Sequence, residues 1–186
     1  MRLFIASRVS EGVLAGIERF LEPLRPSFGD SVKWVPARDM HLTWVFLGEI
    51  TEAGAIPAIR ARLTAAAAAS GRVAAELGGI GGFPSLDRPR VLWLGFGAGA
   101  DKLSELARRL RDGLEKDGYR PDGEFVPHIT LARVKARPPA GALAALSGAA
   151  AEFAGTKEAF CSLDLMESRL SAAGASHRLL YSSVLA

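Results

Sequence analysis

Eight short segments of the chain are rich in apolar and β-branched residues, several of them alternating with polar ones, which is the pattern of β-strands. Four other segments carry apolar residues every three or four positions, or runs of alanine, as helices do. We predict strands over residues 2–7, 32–36, 40–50, 73–80, 90–96, 126–134, 158–168 and 178–184. We predict helices over residues 11–24, 55–69, 102–117 and 139–152.

The order of these elements predicts an α+β fold built from two roughly similar halves. Strands and helices are interspersed along the chain, and no Ser/Gly-rich linker separates them, so residues 1–186 are expected to form one domain. Ser10 and Asp101 are expected to cap the helices that follow them, and Gly118 is expected to end the helix over 102–117.

Two of the predicted strands contain the same polar pair. The stretch MHLTWVFLG places His41 two residues before Thr43, and PHITLAR places His128 two residues before Thr130. Because residues i and i+2 of a strand point to the same face, each histidine shares a face with its threonine. If the two strands are neighbours in the sheet, two imidazoles and two hydroxyls converge on one place.

Such a group of side chains suits the hydrolysis of a phosphodiester. A neutral imidazole can take a proton from water, and an imidazolium can give a proton to the leaving oxygen, since histidine titrates near neutral pH. Threonine hydroxyls can donate hydrogen bonds to the phosphate oxygens on which charge develops. The simpler interpretation is that each histidine is a half-buried sheet residue, but the repetition of the pair favours a site.

Composition and charge narrow the class of protein. The chain is 49% hydrophobic and 23% charged, as globular proteins are, and its net charge of +3 excludes a polycation. The single cysteine, Cys161, excludes an internal disulfide and fits a reducing cytoplasm. No signal-peptide pattern opens the sequence, and no apolar run approaches the roughly 20 residues that cross a bilayer. We therefore expect a cytoplasmic protein without a membrane segment.

The two motifs and their flanks resemble a known family. The segments RLFIAS, VKWVPARDMHLTWVFLGEI, GGFPSLDRPRVLWLG, FVPHITLAR and LMESRLSAAGASHRLLYSSVL occur in the order typical of RNA 2′,3′-cyclic phosphodiesterases. These proteins, also called 2′-5′ RNA ligases or LigT-like proteins, belong to the two-histidine (2H) phosphoesterase superfamily. The resemblance implies a bilobal α+β fold, with two pseudo-symmetric, interleaved lobes and antiparallel sheets around a central cleft.

The family resemblance also implies an activity and the residues that perform it. The activity is hydrolysis of an RNA-terminal 2′,3′-cyclic phosphate to a 2′-phosphomonoester by a monomer that needs no metal or cofactor, with weak 2′-5′ ligation as the reverse reaction. His41 is expected to act as the general acid and His128 as the general base.

Other residues are expected to bind the substrate. Thr43, Thr130 and Arg133 match phosphate-binding residues, and Phe83 matches an aromatic residue that stacks on the terminal base. Arg133 lies five residues after His128, so a turn or a bulge must bring its side chain to the histidine face. Trp44 replaces a smaller residue of many relatives, and alternation directs it to the core.

Other functions remain open from the sequence. The same chemistry could serve another nucleotide-type cyclic phosphate or a 2′-5′ linkage, or the pocket could bind RNA ends without turnover. A metal site formed by His41, His128 and His177 is a further alternative, although the motifs lack suitably spaced carboxylates or cysteines.

Three remaining features have simpler interpretations. His177 is expected to be a surface residue in a turn before the last strand. Cys161 is expected to be a small core residue within a strand. Arg88 and Arg90 either contact a nucleic-acid backbone or are ordinary surface residues.

Overall fold

A computed structural model describes residues 1–52, 54–171 and 174–186 of the chain. Within these residues nine strands form an antiparallel sheet in the order β7-β4-β5-β6-β3-β1-β8-β9, and β2 also pairs with β6. The strands are β1 (Arg2–Arg8), β2 (Val32–Trp34), β3 (His41–Glu49), β4 (Val73–Phe83), β5 (Val91–Phe96), β6 (His128–Val134), β7 (Lys157–Phe160), β8 (Ser162–Ser171) and β9 (Gly174–Val184). The helices are α1 (Glu11–Leu21), α2 (Arg25–Phe28), α3 (Ala55–Ala68), α4 (Ala100–Lys116) and α5 (Ala142–Phe153). The predicted α+β class is confirmed.

The helix boundaries agree with the capping chemistry in two of the three predicted places. The Ser10 hydroxyl accepts a hydrogen bond from the Val13 N–H at the start of α1, as predicted. Gly118 follows the end of α4 with a φ of +90°, a conformation that glycine adopts without strain. The prediction that Asp101 caps α4 is wrong, because the helix begins at Ala100 and Gly99 holds the cap position.

The segment predicted as one strand over 158–168 is two strands. β7 pairs with β4, whereas β8 pairs with β1 on the other side of the sheet, so the chain changes partners between them. Cys161 lies at this crossing and is exposed, and the prediction of a core cysteine is therefore wrong.

Two hydrophobic clusters lie against the sheet. The first joins β1, β3 and β8 to α3 and α4, and includes Leu42 and Trp44. The second joins β5 and β6 to α1 and α5, and includes Ile129 and Leu131. The main path of eight strands divides between β6 and β3 into four strands on each side, and β2 adds to the β6 side. Two interleaved lobes within one domain remain a prediction that this arrangement favours.

Trp44 lies in the core, as alternation predicted. Its side chain is 3% exposed, stacks on Phe125 and meets Phe160 edge-on. The indole N–H donates to the Ser7 hydroxyl over 2.6 Å, and the Ser7 hydroxyl donates in turn to the Ser162 carbonyl oxygen. This chain of hydrogen bonds satisfies the one polar group that tryptophan brings into the core.

No helix among the described residues has both the length and the apolar character to cross a membrane.

Candidate active site

The two strands that carry the His-x-Thr pairs are neighbours at the centre of the sheet. Leu42 of β3 pairs with Ile129 of β6 in antiparallel register. This register places His41 across from Thr130 and His128 across from Thr43, on the face opposite to the buried Leu42 and Ile129. Directly opposed residues have Cβ atoms about 4.5–5.5 Å apart, and diagonal ones about 7–8 Å. The four side chains therefore converge within the reach of one phosphate.

These side chains line one cavity of about 820 Å³. The cavity wall includes His41, Thr43, His128 and Thr130, together with Arg133, all predicted from the sequence as site residues. Its remaining charged residues are Arg2, Lys33, Arg38, Asp39 and Asp122. Four cations against two carboxylates give the wall a positive excess, which favours an anionic ligand.

Both histidines are held in the same way by the backbone. The Nδ1–H of His41 donates to the Asp39 carbonyl oxygen, and the Nδ1–H of His128 donates to the Val126 carbonyl oxygen, each over 2.7 Å. Each acceptor lies two residues before its histidine. With Nδ1 committed to this bond, Nε2 is the nitrogen available to a ligand in both rings.

All three histidines of the chain have lowered pKa values in the ligand-free protein. Burial lowers the pKa of His41 from 6.5 to about 4, and the nearby His177 and His128 add to the effect, while the bond to Asp39 opposes it. Burial also lowers the pKa of His128, against its bond to Val126, and that of His177, against the nearby Asp39. These rings are therefore mainly neutral at neutral pH, and an anion that enters the cavity favours their protonation.

A β-bulge brings Arg133 to the histidine face, as its spacing required. Trp93 of β5 pairs with Thr130 and Leu92 pairs with Ala132, so that Leu131 has no partner of its own. Leu131 and Ala132 are consequently both buried, and Arg133 emerges on the cavity side. Of the turn and the bulge that the spacing left open, the structure contains the bulge.

The other motif strand has the same irregularity. Ala6 of β1 pairs with Thr43 and Ile5 pairs with Val45, which leaves Trp44 as the bulged residue. Phe46 emerges five residues after His41, where the other strand has Arg133, and its side chain is 50% exposed and lines the cavity. Sequence analysis missed Phe46, although applying the bulge argument to both motifs would have found it.

Phe83 contacts His128 but is not among the residues that line the cavity. Its ring meets the His128 ring edge-on at 5.0 Å between centroids, and Trp93 packs against both. The contact that the structure gives Phe83 is thus with an imidazole. Stacking of Phe83 on a base remains a prediction.

The prediction that His177 is a surface residue in a turn is wrong. It lies within β9, where pairing with Ser168 of β8 holds it at the cavity. Its ring meets the rings of His41 and Phe4 edge-on, at 5.3 and 5.1 Å. Its Nδ1 atom is buried and has no hydrogen-bond partner within the described part of the chain. The long β8–β9 hairpin that brings it there could not be recognised from the local sequence.

The described residues contain no group of three or more His, Cys, Asp or Glu side chains arranged to hold a metal ion. The three-histidine metal site considered from the sequence therefore has no support from the geometry. His41 and His177 contact each other edge to face, while His128 contacts Phe83 and Trp93 instead.

Comparison with known proteins gives consistent matches. The profile of the 2′-5′ RNA ligase superfamily matches residues 14–166. An RNA 2′,3′-cyclic phosphodiesterase of Archaeoglobus fulgidus is 34% identical over 139 residues, which cover 75% of this chain and 76% of the relative. One of the same name from Aquifex aeolicus is 41% identical over 105 residues, and the match spans 55% of each chain. A crystal structure from Thermus thermophilus superimposes with a TM-score of 0.81 at 30% identity, covering 100% of this chain and 98% of the other.

Proposed function

Because the chain belongs to the 2′-5′ RNA ligase superfamily, we propose that it hydrolyses the 2′,3′-cyclic phosphate at an RNA 3′ end to a 2′-phosphomonoester. The observation that carries the proposal is the pair of imidazoles on adjacent strands. In each, Nδ1–H donates to the carbonyl oxygen two residues earlier, and Nε2 is available at the same cavity. Relatives named RNA 2′,3′-cyclic phosphodiesterases support the choice of substrate.

The reaction needs one proton removed and one delivered. Nε2 of His128 takes a proton from a water molecule, whose oxygen attacks the phosphorus atom. The bond between phosphorus and O3′ breaks, and the Nε2–H of His41 gives its proton to O3′, which leaves as a hydroxyl. The product keeps the phosphate on O2′. Each proton transfer contributes typically about 10²–10⁴-fold to the rate.

Fixed donors stabilise the charge that develops on the phosphate. Thr43 and Thr130 stand diagonal to each other, each opposite a histidine, so their hydroxyls can donate to the two non-bridging oxygens. Arg133 adds a guanidinium at the same wall of the cavity. Such donors are effective because the fold orients them before the substrate arrives.

The lowered pKa of His41 bears directly on its role as the acid. In the ligand-free chain this ring is neutral above about pH 4, which by itself suits a base better than an acid. The negative charge of a bound phosphodiester opposes this effect and favours the protonated ring. We retain His41 as the acid for the bound complex, and the reverse assignment is the alternative to test.

A substrate with a better leaving group separates the two assignments. The substrate is a 2′,3′-cyclic phosphate in which sulfur replaces O3′, because a thiolate leaves with little need for a proton. We expect His41→Ala and His128→Ala each to lower kcat on the oxygen substrate by about 10²–10⁴-fold. On the sulfur substrate His41→Ala should recover most of the wild-type rate and His128→Ala should not. Recovery by His128→Ala alone would reverse the roles.

The same assay tests the remaining parts of the proposal. Turnover is measured in EDTA, since the proposed chemistry uses only side chains, and the product is identified as a 2′-phosphate. Loss of the rate in EDTA would refute metal independence. Binding without turnover by the wild-type chain would favour a non-catalytic RNA-end binder, and turnover confined to small cyclic nucleotides or 2′-5′ linkages would favour that substrate class. We further propose that the chain acts in the cytoplasm as a monomer of two interleaved lobes.

A further inference from the structure

A second groove opens beside the candidate active site, at the ends of β5 and β6. Its volume is about 1120 Å³, and it lies between the loop that joins β4 to β5 and the loop that joins β6 to α5. Both loops are rich in proline, including Pro89, Pro138 and Pro139, whose fixed backbone angles stiffen the walls. Neither the proposed chemistry nor the core accounts for this groove.

The groove concentrates the positive charge of the molecule. Arg88, Arg90, Lys135 and Arg137 line it and are exposed, and Asp87 is the one carboxylate among the described residues of its wall. This excess of three charges equals the net charge of the whole chain, which is +3. The formal charges of all other residues therefore sum to zero, although the wall of the first cavity also carries a local positive excess.

The four cations have no compensating partner within the described residues. None of their side chains forms a hydrogen bond or an ion pair there, in contrast to Arg108, Arg62 and Arg169 elsewhere on the surface. Like charges held in one groove repel each other, and a polyanion that lies among them relieves the repulsion. The arrangement thus favours a ligand that carries several negative charges in a row.

The groove adjoins the candidate site along β6, although the two have no lining residue in common among the described residues. Arg133 lines the first cavity, and Val134 and Lys135, the next two residues, line the groove. On the neighbouring strand Val91 pairs with Arg133, and Arg90 accepts a hydrogen bond from the Val134 N–H at its carbonyl oxygen. From Arg133 to Arg137 the chain spans at most about 14 Å. At roughly 3.4 Å per phosphate of a stacked strand, this length holds at most about four phosphates.

We propose that this groove binds the phosphodiester backbone of the RNA on the 5′ side of the terminal nucleotide. The proposal rests on the proposed function, because it takes the cyclic phosphate to lie between His41 and His128. It narrows the substrate of that reaction, since a groove of this kind makes the protein favour oligonucleotides over mononucleotides. Contacts to phosphates carry little sequence information, so the preference is for length and not for base.

The test compares two substrates on three proteins. The substrates are a 2′,3′-cyclic mononucleotide and an oligonucleotide of about eight nucleotides with the same cyclic end. The proteins are the wild type, a groove variant with Arg88→Gln, Arg90→Gln, Lys135→Gln and Arg137→Gln, and a control variant. The control replaces four exposed cations outside both cavities by glutamine, at Arg19, Arg72, Lys102 and Lys116. Both variants lose the same total charge, so general attraction to RNA changes equally.

We expect the wild type and the control to favour the oligonucleotide at low salt and the groove variant to treat both substrates alike. The slope of log kcat/KM against log salt for the oligonucleotide should fall by about 3 in the groove variant, since each contact to a single strand contributes roughly 0.7. Turnover of the mononucleotide should stay within about twofold in all three proteins, because none of the four substituted groove residues lines the cavity of the two histidines. Equal losses in the groove and control variants would overturn the proposal.

A binding measurement keeps the two proposals distinguishable. Fluorescence anisotropy with a product-ended oligonucleotide reports the groove even where turnover fails. If the wild type turns over the mononucleotide and shows no preference for the oligonucleotide, the groove does not bind RNA. An acidic protein would then be the class of ligand that fits its charge. Binding that depends on the groove cations without turnover of either substrate would retain the groove and refute the proposed reaction.

Discussion

Protonation of His41 is expected to destabilise the folded chain, and His41→Asn is expected to remove this effect. The pKa of His41 is lowered to about 4, chiefly because burial penalises the charged ring. Asparagine carries an N–H near the place of Nδ1, so it can keep the bond to the Asp39 carbonyl oxygen, and it takes up no proton. The substitution therefore isolates the charge of the imidazole from its backbone contact.

The expected size follows from the two pKa values. In the unfolded chain His41 titrates near its ordinary value of about 6.5, so between about pH 6.5 and 4 the unfolded state binds more protons than the folded state. The free energy of unfolding consequently rises with pH across this window. The part that depends on the neutral His41 ring is lost as the pH falls through the window. The full difference is about 3 kcal/mol, of which about 2.5 kcal/mol is expressed at pH 4.5. Above about pH 7 the contribution of this proton is constant.

Urea unfolding at about pH 8 and pH 4.5 measures this difference. The wild type should lose about 2.5 kcal/mol more than His41→Asn between the two conditions, a midpoint difference of roughly 1 M. Titrating groups distant from His41 act equally in both chains and cancel in the comparison, whereas His128 and His177 lie close enough to interact with it. His177→Asn is the matched control, since its half-buried ring lies against His41 but is more exposed, and its effect should be smaller. Equal losses in the wild type and His41→Asn would show that the folded ring accepts a proton freely and would refute the account of its pKa.

Two further predictions concern the candidate site. The bell-shaped pH profile of kcat/KM reports the ligand-free enzyme and should peak below pH 6.5, because the pKa values of His41 and His128 are both lowered. The pH profile of kcat should peak at higher pH, because the bound anionic substrate raises both pKa values. Steady-state kinetics in which kcat peaks at lower pH than kcat/KM would contradict this prediction. Gly81→Ala should lower kcat, because the added Cβ would lie 2.1 Å from the Trp93 ring, which packs against His128. The resulting shift of the Trp93 ring should cost about 1–3 kcal/mol of stability, measured by thermal unfolding. Gly12→Ala is the control and should leave the rate unchanged, because a Cβ there meets no neighbour within 4 Å.

The sequence was sufficient to predict the parts of the site that depend on local periodicity. The two-residue spacing of His41 and Thr43 placed both on one face of a strand. Once the family resemblance had assigned Arg133 to the site, its five-residue spacing from His128 required a turn or a bulge, and the structure contains the bulge. Both inferences need only the geometry of a strand. The cap at Ser10 and the end of α4 at Gly118 are likewise determined by the chemistry of one residue.

The parts that failed depend on contacts between distant segments. His177 reaches His41 only because β9 pairs with β8 over ten residue pairs and β8 pairs with β1. Cys161 is exposed because it lies between β7, which pairs with β4, and β8, which pairs with β1. No local sequence pattern reveals this change of partner strand. The cationic groove draws on two loops that are more than 40 residues apart, so Arg88 and Arg90 alone could not distinguish a binding site from an ordinary surface.

The two bulges place different residues at equivalent positions of a nearly symmetric site, and this difference bears on the orientation in which a substrate binds. His41 and His128 share the same backbone bond, the same tautomer and an opposed threonine, so the histidines alone do not distinguish the two ways in which a cyclic phosphate could lie. The equivalent positions five residues later differ, since Arg133 presents a charge and Phe46 an exposed ring. A terminal nucleotide has a matching difference between its two ends, since its phosphate is anionic and its base is flat and aromatic. We infer that the difference between Arg133 and Phe46 orients the substrate, and that the orientation in turn decides which histidine faces O3′ and acts as the acid.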